Sequence, residues 1–245
     1  MDVCYEDNHI IIVNKQSGEI VQGDKTGDRP LSDIVKDYLK EKYAKPGAVF
    51  LGVVHRLDRP VGGLVVFART SKALARLNKM FAEGQVHKTY WAIVENQKHK
   101  ASREKTPAAG AGFCDDGEWH TLEHWLVRNE KQNKSYAYDH EKPGAKKAVL
   151  AYRSIAHSDR YTLVEVRLMT GRHHQIRCQL AAIGTPIKGD LKYGAPRSNP
   201  DGSISLLSRR VELTHPVSKA TIVAEAPLPH DRLWQAFDPI TARRL

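Results

Sequence analysis

Cysteine is scarce in this chain of 245 residues, which has only three, Cys4, Cys114 and Cys178. They are far apart and form no C-x-x-C pair, which argues against a disulfide framework or a zinc site. The start of the chain lacks the basic and apolar pattern of a secretory signal, and no apolar run approaches the ~18 residues that cross a membrane. These absences predict a protein of the reducing cytoplasm with no membrane span and no bound metal.

Acidic residues are also too few to balance the basic ones. The chain has 38 Lys and Arg against 28 Asp and Glu, a formal net charge of +10. A basic excess of this size is typical of proteins that bind nucleic acid, because lysine and arginine attract phosphate. The arginines lie inside structured motifs and form no single block, which favours a shaped basic cleft over a disordered arm.

Short β-branched or apolar runs predict strands, and apolar residues at helical spacing predict helices. Many strands with only occasional helices predict an α+β fold with a mostly antiparallel central sheet flanked by helices. The predicted strands are 10–13, 49–54, 63–68, 90–94, 148–155, 161–168, 206–213 and 221–224, and the predicted helices are 31–39, 71–84, 176–183 and a short one near the C-terminus.

One segment interrupts this pattern. Residues 97–118 are small, polar and basic and show no periodicity. They predict an exposed insertion within a single catalytic domain that spans residues 1–245.

Four segments carry residues suited to chemistry on a nucleic acid. Asp58 lies between two arginines in H-R-L-D-R-P, where a basic cleft would keep its carboxylate ionised. Tyr90 lies at the entry of a predicted strand. The other segments are G-R-H-H-Q-I-R (171–177), continuing to G-T-P-I-K-G-D-L-K-Y-G (184–194), and the N-terminal residues 5–7 with 13–15.

These segments resemble the motifs of the RluA-type pseudouridine synthases. That family has H-R-L-D-R-x-T-S-G-L, K-x-Y-x-A, and G-R-x-H-Q-I-R followed by G-x-P-I-x-G-D-x-x-Y-G. The resemblance extends from about Tyr5 to Pro227. The chain departs from the pattern at four positions, where Val61-Gly62 replace Thr-Ser, Gln16 replaces Pro and Leu207 replaces His. The resemblance implies the synthase catalytic fold with a central cleft, and no separate N-terminal RNA-binding domain is expected.

The reaction implied by the resemblance is the isomerisation of uridine. The N-glycosidic bond breaks, the uracil turns while bound, and C5 joins the sugar. No redox change or energy input is needed, so no cofactor is expected. A stacked uracil cannot turn, so the base must be extruded into a pocket. The expected substrate is structured RNA, either tRNA or large-subunit rRNA, and the enzyme is expected to be a monomer.

The resemblance also assigns three catalytic residues. Asp58 would act as the nucleophile or as the base that starts glycosidic cleavage. Arg177 would pair with it, since a guanidinium can hold a carboxylate through two parallel hydrogen bonds. Tyr90 would pack on the uracil and is a candidate to remove the C5 proton.

Six further residues are predicted to bind substrate. Arg56 would fill the gap left by the extruded base, and two more arginines and a lysine would contact phosphate or line the cleft. For His174 and Gln175 an equal alternative is that they satisfy a buried turn. No metal role is expected for the adjacent His173 and His174. The full substrate-binding set is Arg56, Arg59, Arg172, His174, Gln175 and Lys15.

Two other functions are compatible with the same residues. An RNA-binding or folding-assistance module would not need catalysis, although the presence of Asp58, Tyr90 and Arg177 argues against it. A hydrolase that cuts a nucleoside bond could use the same aspartate. The product separates the three readings, because it would be pseudouridine, unchanged RNA or free uracil.

Overall fold

The computed structural model describes residues 1–96 and 113–241. Its strands are β1 (Asp2–Glu6), β2 (Ile10–Lys15), β3 (Gly52–Val53), β4 (Gly62–Ala68), β5 (His87–Glu95), β6 (His120–Asn129), β7 (Lys134–Tyr138), β8 (Lys146–His157), β9 (Tyr161–Leu168), β10 (Leu206–Thr214) and β11 (Thr221–Glu225). Its α-helices are α1 (Leu31–Lys42), α2 (Ser71–Ala82), α3 (Gln175–Ala182) and α4 (Arg232–Thr241), and a 3-10 helix covers Leu191–Tyr193.

The chain forms two compact units. The first comprises residues 1–89 and 207–228, and the second comprises the described residues of 90–206 and 229–245. The expectation of a single catalytic domain stays a prediction. No helix within residues 1–96 and 113–241 is long and apolar enough to cross a membrane.

The core of the first unit is built on β2 and β4. These strands pair antiparallel, and their Ile10–Val13 and Leu64–Phe67 stretches are fully buried because both faces of the sheet are covered. β10 joins β4 in parallel, with Ser208 opposite Gly63. Gly63 has φ +108°, and a Cβ there would lie 2.6 Å from the Ser208 nitrogen. Only glycine allows this approach of the two strands.

The second unit contains an antiparallel sheet with α3 packed against it. β9 pairs with β8, β8 with β6, and β6 with β7. A buried cluster joins Leu126 of β6, Ala148 of β8, Cys178 of α3 and Tyr193 of the 3-10 helix. The sheet therefore fixes the position of α3, which carries Arg177.

The predicted α+β class with a mostly antiparallel sheet is confirmed. Strands β1, β6 and β7 were not predicted from the sequence, and of the strand predicted at 49–54 only Gly52–Val53 forms. In β6 the side chains of His120, Leu122, His124 and Leu126 alternate toward the less exposed face. Two histidines at inward positions hide the apolar alternation that identifies a strand.

The predicted exposed insertion needs a corrected boundary. Residues 97–112 lie outside the described residues, and residues 115–118 are exposed. Phe113 and Cys114, by contrast, are half-buried. The Phe113 ring stacks on Tyr152 with centroids 5.3 Å apart, and the Cys114 amide donates to the Tyr152 hydroxyl at 3.0 Å. Phe113 and Cys114 therefore pack against β8, although both lie within the predicted insertion.

Candidate active site

Asp58 is half-buried on the loop between β3 and β4. Its carbonyl oxygen accepts a hydrogen bond from the Val61 amide at 3.0 Å, which closes a tight turn that contains Pro60. A turn closed by its own backbone holds the carboxylate-bearing residue in place without using the carboxylate.

His55 anchors the start of the same loop. Its Nε2 accepts a hydrogen bond from the Val66 amide at 2.9 Å, and its ring stacks on Phe81 with centroids 4.9 Å apart. Burial, and then the charge of Lys88, lower the pKa of His55 to about 3. The imidazole is therefore neutral, with its proton on Nδ1, and serves as an acceptor that ties the loop to β4.

The neutral His55 makes stability depend on pH. In the unfolded chain its pKa is near 6.5, so between pH 6.5 and about 3 the unfolded state binds a proton that the folded state does not. The free energy of unfolding should fall by about 1.4 kcal/mol per pH unit as pH decreases below 6.5. Urea unfolding of His55→Gln at several pH values should show a slope smaller by about this amount. An unchanged slope would contradict the burial of a neutral His55.

Lys15 was predicted as a substrate-binding cation at the cleft rim, but the structure buries its side chain. Its substrate role stays a prediction. The side chain is 1% exposed, and its ammonium donates to the carbonyls of Gln16 at 3.0 Å, Arg59 at 3.1 Å and Val61 at 2.7 Å. A buried ammonium needs three acceptors, and the loop around Asp58 supplies two of them. Lys15 thus stabilises the Asp58 loop through hydrogen bonds to its backbone carbonyls.

Two opposing effects determine the pKa of Lys15. Burial lowers the pKa of Lys15 to about 8, while the negative charges of Glu19 and Asp58 oppose this shift. The ammonium form therefore predominates near neutral pH. It places a positive charge under the loop that carries the candidate catalytic carboxylate.

Replacing Lys15 by Met should lower turnover without weakening RNA binding. The variant removes the donors of the loop carbonyls and also relieves the burial of a charge, so we expect a small change in melting temperature. We expect turnover to fall by about 10²-fold, the loss that a displacement of about 1 Å can cause. The measurement is turnover beside RNA affinity at several salt concentrations. If Lys15 instead contacted an RNA phosphate, its replacement would weaken RNA binding. It would also reduce the slope of log affinity against log salt concentration by about 1.

Arg59, one residue after Asp58, is bound to a neighbouring loop. Its Nη1 donates to Asp28 Oδ2 at 2.6 Å, its Nη2 donates to Thr26 Oγ1 at 2.8 Å, and Asp24 lies 3.7 Å from Nη2. A contact between Arg59 and phosphate would require exchange of these bonds. Its substrate role stays a prediction. Arg56 is exposed, as its predicted role in filling the gap left by the base requires.

Arg177 lies in the first turn of α3 and is 5% exposed. Its Nε donates to Asp190 Oδ2 at 2.7 Å and its Nη2 to Asp190 Oδ1 at 2.9 Å. This is a two-pronged, charge-assisted pair in which Asp190 is 1% exposed. Asp190 lies in the 184–194 segment but was not among the predicted site residues. The available signal was a carboxylate inside the same extended motif.

Local backbone geometry brings Asp190 to this place. Gly189 has φ +89°, and a Cβ there would lie 2.8 Å from the Ser203 carbonyl oxygen. The Asp190 amide donates to Ile187 O, and its carbonyl accepts from the amides of Tyr193 and Ala195. Hydrogen bonds at both its amide and its carbonyl therefore hold the Asp190 backbone in place.

His174 and Gln175 were predicted to bind substrate, and the structure supports the alternative that they satisfy a buried turn. Gln175 Oε1 accepts from Thr170 Oγ1 at 2.8 Å and from the Arg172 amide at 2.9 Å, and its Nε2 donates to Val149 O at 3.1 Å. With all these groups engaged and 3% exposure, Gln175 stabilises the turn before α3. These bonds favour the buried-turn role for Gln175, and its substrate contact stays a prediction.

His174 is likewise buried, and it has a left-handed backbone at φ 53°. Its Nε2 lies 3.1 Å from Arg177 Nη1, and its Nδ1 lies 2.9 Å from the Tyr193 hydroxyl. Burial, and then the charge of Arg177, lower the pKa of His174 to about 2. His174 is therefore a neutral neighbour of Arg177, and its predicted substrate contact stays a prediction.

Arg172 and Tyr90 complete the predicted set. Arg172 is exposed, and its Nε donates to Lys147 O at 2.9 Å. Tyr90 lies in β5 and is 6% exposed. Asp58 belongs to the first unit, and Tyr90 and Arg177 belong to the second. Their common catalytic role stays a prediction. Among the residues that the structure describes, no group of three His, Cys, Asp or Glu is arranged to hold a metal ion.

Solved structures share this fold. A human RNA pseudouridylate synthase domain-containing protein 4 superposes with a TM-score of 0.71 and 21% identity, covering 100% of this chain and 92% of that one. The human domain-containing protein 1 gives a TM-score of 0.66 and 20% identity over 96% of this chain and 86% of the other. The fold is that of a pseudouridine synthase.

Sequence comparison gives the family. The family model described as RNA pseudouridylate synthase matches residues 9–182. The chain is 30% identical to the uncharacterized RNA pseudouridine synthase YhcT of Bacillus subtilis, covering 94% of this chain and 70% of that protein. It is 30% identical to the ribosomal large subunit pseudouridine synthase D of Xanthomonas campestris over 99% of this chain and 71% of that protein. The chain belongs to the RNA pseudouridylate synthase family, isomerases that convert uridine in RNA to pseudouridine.

Proposed function

We propose that this chain converts specific uridines in structured tRNA or large-subunit rRNA to pseudouridine by an aspartate-dependent mechanism that needs no cofactor. The observation that carries the proposal is the H-R-L-D-R loop, which presents Asp58 on a turn held by His55, Lys15 and its own backbone. Relatives named for rRNA and for tRNA both match the chain, which supports both substrate classes as candidates. We also propose that the enzyme works in the cytoplasm as a monomer.

The proposed reaction begins with Asp58 acting as the nucleophile or the base that starts cleavage of the C1′–N1 bond. The uracil then turns and C5 bonds to C1′. This step releases the Asp58 oxygen from C1′ if Asp58 acted as the nucleophile, or follows return of the proton that Asp58 took if it acted as the base. C5 then loses its proton and N1 gains one, so that the net change is an isomerisation. Arg177 would keep the Asp58 carboxylate charged. The Tyr90 ring would pack on the uracil, and its hydroxyl oxygen would take the C5 proton as the hydroxyl gives up its own proton toward N1.

The exposed Arg56 would occupy the space left by the extruded base. Arg56→Ala should therefore lower the rate on folded RNA more than on an unstructured oligonucleotide of the same sequence, because extrusion costs a few kcal/mol only from a stack. The ratio of the two rates, measured for wild type and variant, tests this role. An equal loss on both substrates would remove Arg56 from extrusion.

Product identity tests the proposed function directly. Purified protein is incubated with total tRNA and with large-subunit rRNA from a strain that lacks the gene, and the RNA is digested and analysed for pseudouridine. We expect pseudouridine at positions that the deletion strain leaves unmodified. Release of free uracil would identify a hydrolase, and RNA that is bound but unchanged would identify a binding module.

A further inference from the structure

We propose that Asp190 is a positioning residue for the isomerisation, which, together with His174, holds the Arg177 guanidinium in one orientation toward the reacting groups. The inference rests on the proposed function, because it requires a catalytic role for Arg177.

The hydrogen bonds of Arg177 define the orientation. Asp190 engages Nε and Nη2 with its two oxygens at 2.7 and 2.9 Å, so the guanidinium plane is set by a carboxylate that is itself fixed. His174 Nε2 engages Nη1 at 3.1 Å. The two residues account for three of the five N–H donors of the guanidinium.

The protonation state of His174 follows from its partners. A guanidinium only donates, so His174 Nε2 must be the acceptor and the ring proton must sit on Nδ1. That proton is donated to the Tyr193 hydroxyl oxygen at 2.9 Å, which also accepts from the Ser135 amide at 2.8 Å. Burial, which lowers the pKa of His174 to about 2, keeps the ring neutral at working pH values, and its two partners select this tautomer. His174 thus adds a hydrogen bond to Arg177 without adding charge.

The Tyr193 ring restrains the guanidinium from a third direction. Its centroid lies 5.1 Å from Arg177 Cζ, within the range of a cation–π contact. Asp190 begins the 3-10 helix that carries Tyr193, and the Tyr193 amide donates to the Asp190 carbonyl at 3.1 Å. One short segment therefore supplies both the carboxylate and the ring.

A role in orienting Arg177 explains these buried polar groups better than a contribution to folding stability does. A buried ion pair is often no more stable than apolar residues of the same volume, because desolvation opposes the attraction. An arginine side chain has many rotamers, and ordering it requires several fixed contacts. Asp190, His174 and Tyr193 together provide these contacts.

The test is Asp190→Asn, which preserves size but replaces one accepting oxygen by an amide that faces a guanidinium donor. We expect turnover to fall by about 10²-fold, as for a misplaced catalytic group, while RNA affinity stays within about 2-fold of wild type. The matched control is Glu165→Gln, which breaks the Arg153–Glu165 pair in the same unit. That control should also lower the melting temperature but leave turnover unchanged. Turnover of Asp190→Asn equal to that of Glu165→Gln would overturn the proposal.

Chemical rescue of activity separates a positioning role for Asp190 from a purely structural one. Methylguanidinium added to Arg177→Ala should restore part of the activity, because the Asp190 carboxylate can orient the added cation. It should restore none to Arg177→Ala/Asp190→Asn. Equal rescue of both variants would show that Asp190 does not position the cation. If Asp190→Asn does not fold, His174→Gln, which keeps an acceptor but changes its place, should lower turnover with unchanged RNA affinity, and full turnover there would overturn the proposal.

The proposed function can fail separately. If wild type forms no pseudouridine, or if Arg177→Ala is fully active, the catalytic assignment is wrong. If wild type is active and Arg177→Ala is not, while Asp190→Asn keeps full turnover, only the positioning role is wrong.

Discussion

Asp58→Asn is expected to abolish pseudouridine formation while leaving the protein folded and able to bind RNA. The substitution keeps the size of the side chain but removes its charge and the oxygen that acts as nucleophile or base. The turn is held by bonds that do not use the carboxylate, namely Val61 N to Asp58 O and the contacts of His55 and Lys15. The loop should therefore keep its conformation in the variant.

The measurement is pseudouridine per RNA after prolonged incubation, with RNA affinity and melting temperature determined in parallel. RNA affinity should equal or exceed that of wild type, because a negative charge near phosphate has been removed. Asp33→Asn, at an exposed pair with Lys36 in α1, removes the same charge as a control and should remain active. Turnover of Asp58→Asn near that of Asp33→Asn would refute the assigned mechanism.

Arg177→Ala is expected to lose both activity and stability. The variant leaves the Asp190 carboxylate, 1% exposed, without the guanidinium that binds both of its oxygens. Removing one partner of a buried pair costs ~3–5 kcal/mol in the free energy of unfolding. Arg177→Lys should recover little of either, since an ammonium cannot form the two-pronged bond.

Urea unfolding of the single and double variants measures the coupling. Arg177→Ala/Asp190→Asn should be less destabilised than the sum of its single variants, because the double variant contains no unpaired buried charge. The same cycle with Asp58→Asn tests the proposed pairing of Asp58 with Arg177. Additive losses in the first cycle would contradict the role of the Arg177–Asp190 pair in stability, and additive losses in the second would contradict the pairing with Asp58.

The sequence alone determined the class of the protein and most of its regular elements. β-branched runs such as Ile10–Val13 predict buried strands without knowledge of their neighbours, because burial on both faces leaves a continuous apolar run. The spacing of Leu74, Leu77 and Phe81 likewise predicts α2. The H-R-L-D-R and G-R-H-H-Q-I-R segments were sufficient to assign the reaction, since motifs of this length rarely arise by chance.

Only the tertiary structure decided the roles of the buried polar residues. Lys15 meets carbonyl groups 44 and 46 residues away, and Gln179 meets His124 across the helix–sheet contact. A local sequence pattern shows that such a residue is polar. It does not show which distant groups form hydrogen bonds with it. The sequence therefore does not show that Lys15 and His174 are buried among such partners, or that Asp190 pairs with Arg177. A buried charge or hydrogen-bonding group is stable only with its partners in place, and those partners are brought together by the fold.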